Sequence, residues 1–243
     1  MENIIYIALL AAGASFVQRT IGFGFGIFMM PVLPFLMPSY AEAVTLSGLL
    51  SLTSATVVMI KYIKYVNWKR LLPIVAAFVV FSTIAIYLLD KIEGRTMRII
   101  LGIMLILISL YFSFFKAKLQ KIIKPTAGWQ LGVGTASGAM GGLFGMHGPP
   151  VVLYLVSSEP DKDHYMGMIQ TYAVITNISM LAVRAYNGYV TPVVGMTYLY
   201  GIAGLAIGII AGNLVYRHIP NKIFTYIVYA YIGLSGLIIL CTA

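Results

Sequence analysis

The chain has 243 residues, of which 60% are hydrophobic and only 9% are charged, with a formal net charge of +9. Soluble domains average about 25% charged residues, so this chain has too few to cover a surface that faces water. Its Lys and Arg residues sit in short links between apolar runs, which favours orientation in a bilayer over nucleic-acid binding. A single cysteine, Cys241, excludes an internal disulfide, and three scattered histidines form no metal cluster.

The first predicted element is an apolar run over residues 4–37 with a glycine cluster inside it. As one straight helix, the run would be about 51 Å long, against roughly 30 Å of hydrocarbon in a bilayer. Glycine is costly inside a helix, so Gly22, Gly24 and Gly26 predict a break. We expect two half-length helices of about 14 residues that enter the membrane and return as a re-entrant hairpin.

The remaining apolar runs predict an all-α polytopic membrane protein. Three runs follow the first, over residues 43–60, 71–89 and 97–115. A second glycine-rich run covers residues 128–157, and the last three runs cover 165–185, 192–215 and 221–241. The order of a broken run and three single spans therefore occurs twice. This predicts one membrane domain of two homologous halves, residues 1–120 and 121–243, each with a glycine-broken helix pair and three transmembrane helices.

The two glycine clusters match when the sequence is shifted by 119 positions. Gly22 then meets Gly141, and Gly26 meets Gly145. Links further along match at 123 positions instead, which predicts a slightly longer link in the second half, around residues 157–164. The same costly residues at matching depth in both halves indicate two broken helices that meet at a transport site.

Two topologies satisfy the positive-inside rule. Eight spans result if both broken runs cross the membrane fully. Six spans and two hairpins result if both runs are re-entrant, with both termini outside the cytoplasm. The second topology places eleven Lys and Arg residues on the cytoplasmic side, against four on the other, which are Lys91, Arg95, Arg98 and Arg184. The charge rule favours it, and each half then has an odd number of crossings, so the halves are inverted.

The predicted spans carry little chemistry for an enzyme. They contain no paired carboxylates and no nucleophile–base–acid set, so we expect no catalytic residues and no cofactor. The absence of acidic residues at mid-depth argues against a cation carrier. Arg19 is a fixed positive charge beside the first glycine cluster, and Gln18 and Thr20 add hydrogen-bonding groups. Either these residues and the exposed backbone N–H groups bind an anion, or Arg19 snorkels to an interface.

Two further polar residues have two interpretations each. His147, in the second cluster, either contacts the substrate or is a neutral histidine bonded to a nearby carbonyl. Asn177, in mid-span, either lines a cavity or bonds across helices. Gly204, Gly208 and Gly212 recur at every fourth position, which predicts close helix packing. The predicted substrate-binding set is Gln18, Arg19, Thr20, Gly22, Gly24, Gly26, Gly141, Gly142, Gly145, His147, Gly148 and Asn177.

The glycine clusters also carry a family resemblance. The first reads Gly22-Phe23-Gly24-Phe25-Gly26, after Phe16-Val17-Gln18, and the second reads GAMGGLFGMHGPP over residues 138–150. Two such stretches at this separation resemble the signatures of the TauE/SafE family, the sulfite exporter-like permeases. The resemblance covers nearly the whole chain and implies transport of a small sulfur-containing anion across the bacterial inner membrane. His147 stands where glycine is expected, and Arg19 where many relatives carry a small or neutral residue.

These observations lead to one main hypothesis and two alternatives. We expect a multi-pass inner-membrane secondary transporter that moves sulfite, a sulfonate or a related anion by alternating access between two inverted halves. Its partners would be the small anion and the lipid bilayer, with no nucleic acid, and a homodimer is left open. Arg19→Gln is predicted to abolish transport while the protein still inserts. The alternatives are an anion channel with the same pore and a non-transporting membrane partner protein.

Overall fold

The computed structural model describes residues 2–89, 91–111, 114, 123–159, 161–215 and 221–242. The regular structure in these residues is helical. The first half contains α1 (Glu2–Ile21), α2 (Phe25–Met29), α3 (Leu33–Leu36), α4 (Tyr40–Tyr62), a short 3-10 turn (Ile63–Tyr65), α5 (Trp68–Leu89) and α6 (Gly94–Leu110). The second half contains α7 (Ala127–Phe144), α8 (Gly148–Ser158), α9 (Lys162–Tyr186), α10 (Pro192–Val215) and α11 (Asn221–Thr242).

Each predicted single span corresponds to one long helix: α4, α5, α6, α9, α10 or α11. Part of the run at 97–115 lies outside the described residues. Four of the described helices are long and apolar enough to cross a membrane. They are Tyr40–Tyr65, Trp68–Leu89, Lys162–Tyr186 and Pro192–Leu214. The prediction of an all-α polytopic membrane protein is thereby confirmed in its coarse form.

Both glycine clusters break a helix, as predicted. α1 ends at Ile21, and Gly22 and Gly24 follow with φ of 92° and 99° before α2 begins. α7 ends at Phe144, and Gly145 follows with φ of 67° before α8 begins at Gly148. A positive φ directly after a helix is the usual position of a C-terminal glycine, because a side chain there would be strained.

The helices before and after each break, its first and returning arms, are not of equal length, so the prediction of two helices of about 14 residues is wrong. α1 has 20 residues and α7 has 18 residues. The returning arms are shorter, with 5 and 4 residues in α2 and α3 and 11 residues in α8. At 1.5 Å per residue, α1 and α7 are about 30 Å and 27 Å long. Each first arm is therefore as long as the hydrocarbon layer is thick.

The helix boundaries also correct the sequence offset of the first cluster. Gly22 and Gly145 both follow the end of the first arm, and Phe25 and Gly148 both begin the returning arm. Both pairs are 123 positions apart, the offset of the later links. The offset of 119 therefore aligned similar residue types that lie about one helical turn out of register. Because a single offset of 123 fits the whole chain, the longer link expected around residues 157–164 is no longer required to explain two different offsets.

Two pairs of helices pack in parallel through glycine stripes. Gly204, Gly208 and Gly212 of α10 face Ala8, Ala12 and the segment 16–19 of α1 in the same order. Gly134, Gly138 and Gly142 of α7 likewise face Ile74, Phe78 and Ser82 of α5. A methyl group at most of these glycines would strike a backbone carbonyl of the neighbouring helix, so the two backbones touch. The close packing predicted for α10 is confirmed, and each pair joins one helix from each half.

Two other pairs run antiparallel. In α4 and α9, Gly48 lies near Leu181, and Asn177 bonds to Ser51, whereas Gly167 lies near the far end of α4 at Tyr62. α6 and α11 are also antiparallel, because Gly102 faces Leu240 and Ser109 faces Gly233. The starts of α4 and α9 therefore lie at opposite ends of the bundle. The two broken segments, α1–α3 and α7–α8, lie beside this central α4–α9 pair.

Candidate functional site

A small cavity lies where the two helix breaks meet α4 and α9. It encloses about 30 Å³, measured as the space open to the centre of a water molecule. One water needs about 10–15 Å³ in this measure, so the cavity has room for one or two waters or for a small ligand. Its lining residues are Gln18, Gly22, Phe23, Gly24, Phe25, Gly26, Ile27, Ser51, Gly145, Met146, His147, Gly148, Ile169, Tyr172 and Ala173.

The two breaks touch each other at the cavity. A Cβ atom built on Gly26 would overlap the carbonyl oxygen of Gly145 and lie 3.1 Å from its carbonyl carbon. A Cβ atom on Gly148 would lie 3.3 Å from the ring of Phe23. Glycine at position 26 is thus what allows the two backbones to touch, and glycine at position 148 leaves room for the Phe23 ring. The sequence expectation that the two clusters meet agrees with this geometry.

The first break is held in place by α9. The side-chain amide of Gln170 donates to the carbonyl oxygen of Gly22 at 2.7 Å, and the Tyr165 hydroxyl donates to the Ile21 carbonyl at 3.3 Å. Both residues belong to the first half of α9. The carbonyls at the end of α1 have no further turn of helix to bond to, so these side chains provide their partners.

The second break is held by the other end of the same helix. Arg184, near the end of α9, is buried and donates from Nη2 to the Gly142 carbonyl at 2.7 Å. Gly142 lies in the last turn of α7. Sequence reasoning placed Arg184 in a link outside the membrane, but the structure places it inside the bundle with 1% of its surface exposed.

Three side chains of the lining carry a buried polar atom that lacks a hydrogen-bond partner among the described residues. They are Gln18 (Oε1), His147 (Nδ1) and Tyr172 (Oη), and all three side chains are more than nine-tenths buried. The imidazole ring packs edge-on against Phe78, with the ring centres 5.6 Å apart, and lies 5.6 Å from the ring of Tyr172. Buried polar groups normally have partners, so unpartnered atoms gathered around one cavity indicate that a ligand or ordered water occupies it.

A polar layer supports the cavity from behind. The side-chain amide of Asn177 donates to the Ser51 hydroxyl at 3.3 Å and to the Ala173 carbonyl at 2.8 Å. Ser51 and Ala173 line the cavity, whereas Asn177 does not. Asn177 therefore bonds across α4 and α9, one of its two predicted roles, and fixes the position of Ser51.

The electrostatics of the cavity come from the backbone. Its lining, within the part of the chain that the structure describes, includes no Asp, Glu, Lys or Arg. α8 begins at the cavity, so the N–H of Gly148 and the positive end of the helix dipole face it. Pro149 and Pro150 follow and contribute no N–H, which limits the donors in this turn. Such a site can bind and orient a small polar ligand.

Comparison with protein-family models gives one match to this chain. The match covers residues 7–239 and is described as "Sulfite exporter TauE/SafE". The chain belongs to the TauE/SafE family. No curated protein and no solved structure matches it at a significant level. Members of the TauE/SafE family are membrane permeases rather than enzymes, so this TauE/SafE chain is a membrane protein of a transport family.

Seven of the twelve predicted site residues line the cavity of this TauE/SafE protein: Gln18, Gly22, Gly24, Gly26, Gly145, His147 and Gly148. The other five lie outside the lining. Arg19 donates from Nε to the side-chain oxygen of Asn213 on α10, and Thr20 donates to the Phe16 carbonyl of its own helix. Gly141 packs behind His147, while Gly142 and Asn177 have the contacts described above.

Sequence reasoning missed three side chains that build the site, namely Ser51, Tyr172 and Arg184. Ser51 had a detectable signal, because Ser47, Ser51 and Ser54 fall on one face of α4 at helical spacing and all three are buried. Tyr172 had none, since the sequence has 17 tyrosines and most resemble interfacial anchors. Arg184 was hidden by its position at the end of an apolar run.

Proposed function

We propose that this TauE/SafE protein is a secondary transporter that moves a small sulfur-containing anion, such as sulfite or a sulfonate, across the inner membrane by alternating access. One observation carries the proposal. A cavity of small-anion size lies at the contact of two helix breaks, and three of its lining residues, Gln18, His147 and Tyr172, carry a buried polar atom without a described partner. The substrate class comes from the family and agrees with the dimensions of the cavity.

The donor and acceptor set suits an oxyanion. The Gly148 N–H and the His147 ring can donate to sulfonyl or sulfite oxygens, and the helix dipole of α8 favours negative charge. The side-chain oxygen of Gln18 can only accept a hydrogen bond, so it suits a ligand that also carries a proton, such as hydrogensulfite. The nonpolar part of an alkylsulfonate would contact Phe25, Ile27 and Ile169, which also line the cavity.

The arrangement of the halves supports alternating access. α4 and α9 are counterparts at the offset of 123 and run antiparallel, as do α6 and α11. Gly22 lies near Met166 at the start of α9, and Gly145 lies near Val44 at the start of α4, so the breaks approach opposite ends of the central pair. We infer two inverted halves with one re-entrant hairpin entering from each side of the membrane.

The glycine stripes indicate which parts move. α1 is held to α10 by backbone contact over residues 204–212, and α5 is held to α7 by backbone contact over residues 134–142. Each of these pairs contains one helix from each half, so the halves themselves cannot separate as rigid bodies. In our proposal the α1–α10 pair and the α5–α7 pair move against the central α4–α9 pair, and each carries one hairpin with it.

The test is transport by purified protein in proteoliposomes. Radiolabelled sulfite or methanesulfonate should enter in a saturable way and show counterflow, which a channel would not. His147→Ala should weaken sulfite affinity by about tenfold or more, as expected for loss of a hydrogen bond to a charged group. The matched control is His164→Ala, which changes an exposed histidine outside the cavity.

Three results would count against the proposal. Saturable uptake that His147→Ala leaves unchanged would remove the cavity from the transport path. Fast flux that does not saturate with anion concentration would show that the protein is a channel rather than a carrier. A wild-type protein that moves neither anion and gains no thermal stability from either would favour the non-transporting alternative, because a ligand that binds the folded state raises its apparent stability.

A further inference from the structure

A helix break has two opposite electrostatic effects on an anion bound beside it. The helices that begin at a break direct N–H groups and a positive dipole end toward it. The helices that end there direct free carbonyl oxygens and a negative dipole end toward the same place. Here α1 and α7 end at the two breaks, so their last carbonyls lie close to the cavity. An anion would be repelled by them unless another group occupies them.

Two side chains of α9 donate hydrogen bonds to carbonyls at these helix ends. Gln170 donates to the Gly22 carbonyl at the end of α1, and Arg184 donates to the Gly142 carbonyl in the last turn of α7. Both are fully buried or nearly so. They are fourteen residues apart, which places them about 21 Å apart on one face of the helix. Asn177 lies midway between them on the same face and bonds to Ser51.

We propose that Gln170 and Arg184 are positioning residues that make the cavity select anions. Each occupies a carbonyl oxygen at the negative end of one broken helix, so that the positive end of α8, which has 11 residues, dominates the potential in the cavity. The inference rests on the proposed anion function. It extends that function by assigning the choice between anion and cation to α9 rather than to the hairpins that line the cavity.

The difference between the two side chains supports a role in charge selection. A neutral amide satisfies the carbonyl at the first break. At the second break a guanidinium does so, although a buried charge in a membrane is much costlier than an amide. Pro149 and Pro150 remove two N–H groups from the first turn of α8, so the second break has fewer positive donors of its own. The full charge of Arg184 compensates for this deficit.

The test measures ligand-induced thermal stabilisation of the purified protein with two probes, sulfite in alkaline buffer as a dianion and methanesulfonate as a monoanion. Coulomb energy scales with ligand charge, so Arg184→Met should weaken sulfite binding about 25-fold and methanesulfonate binding about 5-fold. Arg184→Lys should restore most of the sulfite affinity. Gln170→Met, which keeps all charges, should weaken sulfite binding about 3-fold. Ser179→Ala is the control, because this hydroxyl bonds only to its own helix in the described contacts.

Equal losses for the two anions would overturn the proposal, because a purely structural role does not depend on ligand charge. If Arg184→Met does not fold, the comparison of Gln170→Met with wild type decides, and an unchanged sulfite affinity refutes the inference. A second readout is independent of anion binding: freed carbonyls should attract a cation, so Gln170→Met should gain stabilisation by Na⁺ over choline. If Gln170→Met gains stabilisation by Na⁺ but the wild-type protein binds neither anion, the proposed function is rejected and the role of α9 is retained. If there is neither anion binding nor a gain of stabilisation by Na⁺, both the proposed function and the role of α9 are rejected.

Discussion

The contact between the two breaks can be tested by adding a single methyl group. Gly26→Ala places a Cβ atom on the Gly145 carbonyl oxygen, and both partners are backbone, so neither can rotate away. To reach a normal C···O contact of about 3.3 Å, the two hairpins must separate by roughly 1 Å. Overpacking of this kind lowers the free energy of unfolding by about 1–3 kcal/mol, and the higher helix propensity of alanine offsets about 1 kcal/mol of this loss.

The effect on function should exceed the effect on stability. A shift of about 1 Å in a positioned site costs up to about 100-fold in activity, so we expect sulfite uptake to fall by at least tenfold while the protein still inserts. The assay is initial uptake in proteoliposomes, with the melting temperature measured in parallel. Gly132→Ala on α7 is the matched control, because its Cβ atom would meet nothing within 4 Å. Uptake by Gly26→Ala at the wild-type rate would refute the close contact of the hairpins.

Three other predictions concern stability, measured by thermal unfolding in detergent. Gly208→Leu should destabilise the protein by about 1–3 kcal/mol because it forces α10 away from α1, whereas Gly195→Leu, which points into open space, should have little effect. Glu159→Gln breaks the 2.7 Å ion pair with Arg70 between the end of α8 and α5, and a double-mutant cycle should give a coupling of about 0.2–1 kcal/mol. The His164 backbone N–H, with further bonds from the His164 ring and the Asp163 N–H, lowers the pKa of the Asp161 carboxyl. Its stabilising effect should therefore be present above the ordinary pKa of Asp and be lost as the pH falls through the lowered value; Asp161→Asn should keep the helix cap but remove this pH dependence. Unchanged melting of Gly208→Leu, zero coupling, or an Asp161→Asn profile identical to wild type would contradict the respective prediction.

The sequence predicted the helices well because apolar length is the dominant signal in a membrane protein. Six single spans and two breaks follow from run length and glycine content alone, and the positive φ of Gly22 and Gly145 explains why glycine is required there. The register of the repeat was harder. Matching residue types at 119 positions aligned Gly22 with Gly141, although the backbone aligns it with Gly145. A glycine-rich segment offers several equivalent matches one turn apart, and only the helix ends distinguish them.

The site was predicted in part because its lining is mostly backbone. Glycines at a break are visible in the sequence, and so is a lone histidine among them. The direction of a side chain is not visible. Arg19 attracted attention as a charge beside the glycines, but in the structure it bonds to Asn213 on α10, and its role in transport stays a prediction. Arg184 bonds to Gly142 through a contact between residues 42 positions apart, which no local pattern encodes.

The corrected register makes the two breaks unequal in chemistry. At an offset of 123, His147 corresponds to Gly24, so the two inverted halves that we propose would present one imidazole to the cavity rather than two. Inverted repeats exchange conformations when a transporter switches sides, and identical repeats would give the same affinity on both sides. In the proposed transporter, any difference in affinity between the two faces would therefore arise where the repeats differ. At the cavity, that difference lies chiefly in His147 and in the prolines that follow it.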